Sequence, residues 1–228
     1  MKAIRIALIA GAVIAAGLSA AQAPPTNLVV NGDFEVPAGI VPAAGYYTIG
    51  AGAHSVPAGF GWTVPVNNVD IVSYAGAYGG NQPAGGGGNY FLDLVGTGGT
   101  GSIAQTLNLA AGTYQLSFSY ANNPFSTSTA SATVADLTVA LNGAILHNTS
   151  TRSDLNWTPY TLIFTVAPDA AGLSALSFTE TVGNNGGGVF LDNVSVTAVV
   201  PEPATWTLLL PGLAGLGVWA RRRRRLPA

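Results

Sequence analysis

Between residues 113 and 120 the chain alternates strictly: Tyr114, Leu116, Phe118 and Tyr120 fall on one face, and Gln115, Ser117 and Ser119 on the other. That period of two belongs to a strand with one face in a core. Apolar and β-branched runs of similar length recur at Asn27 to Val30, Val69 to Ser73, Tyr90 to Val95, Ser102 to Leu109, Ala132 to Leu141, Ala144 to Asn148, Tyr160 to Val166, Leu173 to Val182 and Val189 to Ala198. Clusters of Gly, Pro, Asn and Ser separate them, as strand boundaries require. Asn142-Gly143, between Leu141 and Ala144, predicts a tight hairpin, because both residues tolerate the positive φ of a type I′ turn. No segment between residues 24 and 200 sustains a helical period. The pattern predicts an all-β domain over 24–198, an antiparallel β-sandwich of the jelly-roll type. Pro37 to Phe60, Gly79 to Gly88 and Asn122 to Ser131 are too rich in Gly, Pro, Ala or Ser to match it and read as surface loops or spacers.

Two segments outside this pattern are addresses. At the start, Lys2 and Arg5 precede an apolar stretch from Ile6 to Leu18 and the small-residue site Ala21-Gln22-Ala23. This is the layout of a secretory signal peptide over 1–23, cut after Ala23 by signal peptidase. At the end, over 199–228, Pro201, Glu202 and Pro203 precede an apolar run from Ala204 to Ala220, followed by Arg221, Arg222, Arg223, Arg224 and Arg225. Such a run is at the short end of what spans a hydrocarbon core, and the arginine block would hold the C-terminus in the cytoplasm. The segment closely resembles the PEP-CTERM sorting signal of Gram-negative bacteria. That resemblance implies transient membrane insertion through a C-terminal transmembrane helix, processing near the Pro-Glu-Pro by an exosortase-type protease, and a place at the cell surface or in the extracellular matrix. The alternative reading is an ordinary permanent anchor, although Pro211-Gly212 in mid-run would weaken such a helix.

Removing both signals changes the charge. Residues 24–200 keep one basic residue, Arg152, against nine carboxylates, a formal charge of −8. A lysine-free acidic surface repels phosphate backbones, which argues against nucleic acid as a partner. Cysteine is absent, so no disulfide stabilises the exported domain. The same inventory excludes thiol and Schiff-base chemistry. His54 and His147 are too far apart in sequence for a zinc motif, each reads as a loop residue, and no G-x-S-x-G elbow is present. Glu35 and Glu180 could form a glycosidase pair only if the fold placed them face to face. The expectation is a protein that is not an enzyme.

Two motifs bracket the domain. Asn31-Gly32-Asp33-Phe34-Glu35 at its start and Leu191-Asp192-Asn193-Val194 at its end resemble the first and last strands of galactose-binding-like jelly rolls in exported bacterial and plant cell-wall families. The resemblance implies carbohydrate binding more often than catalysis. It also implies a structural calcium shared by Asp33 or Glu35 and Asp192, since calcium takes several hard oxygen ligands at once. Turn capping by the same side chains is the alternative. For a sugar, an aromatic plate edged by amides or carboxylates is the usual platform. Trp62, Tyr74 and Tyr78 lie in or beside the expected loops and are the candidates, with packing beneath those loops as the competing role, whereas Trp157 and Tyr160 open a strand and read as core. The two readings of function are a non-catalytic module associated with exopolysaccharide and a structural surface protein with no small ligand; a glycan-active enzyme is third.

Overall fold

The computed structural model describes residues 25–35, 39–40, 45–75, 82–83, 88–97, 99–122, 134–152, 156–182 and 188–199. The expected signal peptide, the sorting segment, Tyr78 and most of the loops at 79–88 and 122–131 lie outside the described residues.

Thirteen strands are described: β1 Tyr46–Gly50, β2 Thr63–Val66, β3 Asn68–Ser73, β4 Tyr90–Asp93, β5 Val95–Gly96, β6 Gly99–Thr100, β7 Ser102–Leu109, β8 Gly112–Asn122, β9 Val134–Leu141, β10 Ala144–Arg152, β11 Thr158–Val166, β12 Gly172–Glu180 and β13 Val189–Ala198. A single 3-10 turn, Pro168–Ala170, is the only helical element among the described residues. Six strands form one sheet in the order β1, β3, β4, β13, β8, β11; five form the other in the order β10, β9, β12, β7, β2; β5 and β6 make a short ribbon. The pairings are antiparallel. The result is the expected β-sandwich.

Alternation builds the core. On β8 Leu116 and Phe118 point inward, and on the facing sheet Val139, Leu176 and Phe178 meet them. The rings of Phe118 and Phe178 cross edge to face at 5.3 Å, joining the two sheets at mid-height. Each such buried side chain contributes about 1.5–3 kcal/mol relative to exposure. The Asn142-Gly143 hairpin forms as expected, with φ of 50° and 80°.

Three expectations need correction. Pro37 to Phe60 is not all loop, because Tyr46–Gly50 pairs with β3 and buries Thr48 and Ile49. Tyr90 to Val95 does not run through as one strand: the Asp93 carboxylate accepts the Val95 N–H at 2.9 Å, a local turn that ends β4. Asn27 to Val30 is not a ladder strand either. Side chains take the place of strand partners there: Asn27 Oδ1 accepts the N–H groups of Val29 and Val196, each at 3.0 Å.

The opposite, outer face of the six-stranded sheet carries a second, smaller apolar cluster of Val72, Phe91, Ala121 and Phe190, with Tyr74 and Trp157 packed on it. This cluster positions the candidate site.

Candidate functional site

The opening and closing motifs meet in space. Leu28 N–H donates to the Val196 carbonyl at 2.8 Å, and Val194 N–H donates to the Gly32 carbonyl at 2.9 Å. A Cβ on Gly32 would collide with the Val194 carbonyl, so only glycine allows this approach. Asn31 and Phe34 adopt positive φ, 52° and 55°, which turns the chain sharply. The turn sends Phe34 into the core against Trp62, at 5.9 Å between rings, and leaves Asp33 exposed. Glu35 reaches the start of β4, where its Oε1 accepts the N–H groups of Asn89 at 2.6 Å and Tyr90 at 2.7 Å.

On the closing side, β13 bulges after Asp192, and Asn193 takes φ of 54°. Asp192 is 2% exposed. Its Oδ2 accepts the Tyr74 hydroxyl at 2.8 Å and its Oδ1 the Asn193 N–H at 2.7 Å. Burial pushes its carboxyl up to about 7, with the negative charges of Asp33 and Glu35 adding to the shift and the hydrogen bonds from Tyr74 and Asn193 opposing it. The Tyr74 phenol is pushed well above its ordinary value, first by burial and then by Asp192.

The structure thus brings Asp33, Glu35, Asp192 and Tyr74 into one electrostatically coupled group. Their oxygens are hard donors, the type calcium selects. Both oxygens of Asp192 nonetheless already accept protein donors, as do both of Glu35, whose Oε2 takes the Asn89 side-chain amide at 3.2 Å. Among the described residues no three acidic or histidine side chains converge as a metal-holding group.

Beside the turn lies a groove of about 540 Å³ whose lining includes Asn31, Asp33, Ser117, Thr161, Asn193 and Ser195. It offers amides, hydroxyls and one carboxylate. Ser119, which lines the groove, pairs with Asp192 across the sheet, and the aromatic cluster lies beyond that pair on the same sheet. There the Trp157 ring stacks on Phe190 at 6.2 Å and meets Phe91 edge to face at 5.7 Å. Trp157 remains partly exposed, and its buried Nε1 has no hydrogen-bond partner. The expectation that Trp157, at the opening of a strand, belongs to the core is corrected: sheet register places it on the outer face.

Other candidates fall elsewhere. Trp62 is a core residue, 2% exposed, with its Nε1–H donated to the Asn31 carbonyl at 3.0 Å, so the expectation of an exposed plate there is corrected. Tyr74 presents its hydroxyl to Asp192 rather than to solvent and packs on Phe91 at 4.7 Å. His147 is not a loop residue but part of β10, where its ring lies 3.8 Å from that of Tyr160 and burial lowers its pKa. His54 stacks on Tyr47 at 4.3 Å. Glu180 and Glu35 belong to different groups: the carboxylates that act on Glu180 are Asp93 and Asp136, whereas Glu35 acts on Asp192 and Tyr74.

The fold is an antiparallel β-sandwich whose opening and closing segments meet. The chain belongs to DUF642, a protein family of unknown function, whose model matches residues 27–197. The PEP-CTERM protein-sorting motif matches residues 199–225, which marks an exported protein held in the membrane during sorting and processed by an exosortase. No curated protein matches the chain. Among solved structures it is similar to TmCBM61 in complex with β-1,4-galactotriose, at 15% identity over 76% of this chain and 99% of that one, with a TM-score of 0.50. It is also similar to a family 35 carbohydrate binding module from Clostridium thermocellum, at 17% identity over 60% and 92%, TM-score 0.38. A cycloisomaltooligosaccharide glucanotransferase from Paenibacillus sp. matches at 15% identity over 57% of this chain and 17% of that one, TM-score 0.34. At 15% identity the likeness to TmCBM61 shows the fold alone.

Proposed function

We propose that the exported domain is a non-catalytic carbohydrate-binding module that associates with exopolysaccharide at the cell surface or in the extracellular matrix of a Gram-negative bacterium. The observation that carries this reading is the outer face of the six-stranded sheet. One end holds a partly exposed indole, Trp157, and the other a polar groove with Asp33, Asn31 and Asn193. A sugar has apolar C–H faces and a rim of hydroxyls, so an aromatic surface on the same sheet as amides and a carboxylate complements both. The formal charge of −8 over residues 24–200 favours neutral or cation-bridged glycans over strongly anionic ones.

A structural calcium is part of the proposal, shared by Asp192 with Asp33 or Glu35 and completed by backbone carbonyls and water, because the three carboxylates do not converge as a ligand set of their own. It would supply positive charge where Asp33 and Glu35 repel Asp192 and would tie the opening segment to β13 in a chain without cysteine.

Affinity electrophoresis of the processed protein through gels containing neutral galactans, glucans or the producing cell's own exopolysaccharide tests the reading. Retention by at least one glycan is expected, and Ser195→Leu, which fills the groove, should abolish it while leaving the melting temperature unchanged. Migration unaffected by every glycan would favour the structural surface protein instead.

A further inference from the structure

A second group of acids sits at one end of the sandwich, away from the meeting termini. Glu180 ends β12 on the five-stranded sheet, and Asp93 ends β4 on the six-stranded sheet. Both are buried, at 2% and 3% exposure. Glu180 Oε2 accepts the Val189 N–H at 2.8 Å, but its Oε1 is buried with no hydrogen-bond partner. Asp136 on β9 adds a third negative charge acting on Glu180. Gly188 closes over the pair: a Cβ there would stand 2.6 Å from Glu180 Oε2 and 2.7 Å from Asp93 Oδ1. Two carboxylate oxygens therefore crowd one small region where a side chain has been excluded.

Next along the sheet Asp70, which faces Asp93 in the β3–β4 register, has a second orphaned oxygen, its buried Oδ1. Lysine is absent from residues 24–200. Leaving a buried charged oxygen unpaired costs several kcal/mol, so the group must be protonated or must meet a cation.

We propose that Glu180 and Asp93 hold a hard divalent cation, calcium in the extracellular setting, at the end of the sandwich where β12, β4 and β13 meet. Calcium coordinates six to eight oxygens at about 2.3–2.6 Å and routinely mixes carboxylates with backbone carbonyls and water. Two buried carboxylates with an orphaned oxygen are a suitable nucleus, and Asp136 contributes attraction at longer range. The cation would pin the two sheets together where Gly188 leads into β13. In its absence the stable state is the neutral acid, and burial does push the Glu180 carboxyl up to about 9. This site is independent of the sugar reading and distinct from the Asp33, Glu35 and Asp192 group.

The segment 24–200 contains two glutamates, Glu35 and Glu180, so selective ¹³Cδ-glutamate labelling of the processed protein reports each carboxyl directly. At pH 7 in EDTA the Glu180 signal should have the shift of a protonated acid. Saturating calcium should convert it to that of a bound carboxylate, with a dissociation constant no weaker than about 10⁻³ M, as in extracellular modules. In calorimetry Glu180→Gln should remove one calcium equivalent that Asp192→Asn leaves in place. A Glu180 signal that stays protonated through the titration overturns the proposal. So does a calcium equivalent lost with Asp192→Asn but kept by Glu180→Gln, which would assign the cation to the meeting termini alone.

Discussion

The side chain of Gln105 pairs with the backbone of Val30 as a neighbouring strand would: Val30 N–H donates to Gln105 Oε1 at 2.8 Å, and Gln105 Nε2 donates to the Val30 carbonyl at 2.8 Å. A further bond runs from Nε2 to the Gly61 carbonyl at 2.9 Å. Val30 lies on the segment bonded to β13 of one sheet, while Gln105 belongs to β7 of the other. One amide thus bridges the open side of the sandwich. Gln105→Leu should leave these backbone groups unpaired and destabilise the domain by about 1–3 kcal/mol. Urea denaturation of the two proteins measures this, and an unchanged midpoint would show that the bridge adds nothing.

Tyr74→Phe should cost more at pH 8 than at pH 5. The phenol donates to Asp192, whose carboxyl titrates near 7, and a bond to a charged acceptor is worth more than one to a neutral acid. A loss of about 1.5–3 kcal/mol is expected at the higher pH. Equal losses at both would mean that Asp192 keeps the same protonation state throughout.

In EDTA the domain should become less stable as pH rises from about 4 to 9. Asp70 is pushed up to about 6, Asp192 to about 7 and Glu180 to about 9, each chiefly by burial and each above its unfolded value of 3.8 or 4.5. The folded chain then holds protons that the unfolded chain has released. Their stabilising contribution is complete below the unfolded values and is lost as pH climbs through the folded ones. His147, with its pKa lowered by burial, acts in the opposite sense up to its unfolded value of 6.5 and flattens the acidic part of the curve. Melts across this range check the slope; a melting temperature that climbs steadily to pH 9 would contradict it. Millimolar calcium should lessen the alkaline loss by stabilising the ionised acids.

Trp62→Ala should unfold the domain rather than spare it. The indole packs between Phe34 and Phe178, at 5.9 and 6.0 Å, and a truncation of this kind in a core costs about 3–5 kcal/mol. Circular dichroism melts of the variant supply the comparison.

Both ends of the chain should be missing from the exported protein. Intact mass should correspond to a chain that begins at Pro24 and lacks Arg221 to Arg225, the outcome expected from the secretory pattern and the sorting motif. Recovery of the complete arginine tail on surface-exposed protein would contradict the sorting route.

Much of the architecture was legible because it is local. Alternation in β8 and Asn142-Gly143 between two apolar runs each carry their own physical reason within a few residues, whereas the need for glycine at Gly32 comes from the distant Val194 carbonyl. The sorting motif is more local still, an apolar run against a block of charge. What periodicity could not supply was the partner of each residue. Trp62 and Trp157 both stand near glycine-rich or polar loops, yet one fills the core and the other caps an outer face, because sheet order and register decide which surface lies opposite. Likewise Asp33, Glu35 and Asp192 could be paired from motif resemblance, but Glu180 could be joined to Asp93 only once β12 and β4 were set at the same end of the sandwich. Strand alternation assigns a side chain to a face, and long-range pairing between strands decides what that face meets.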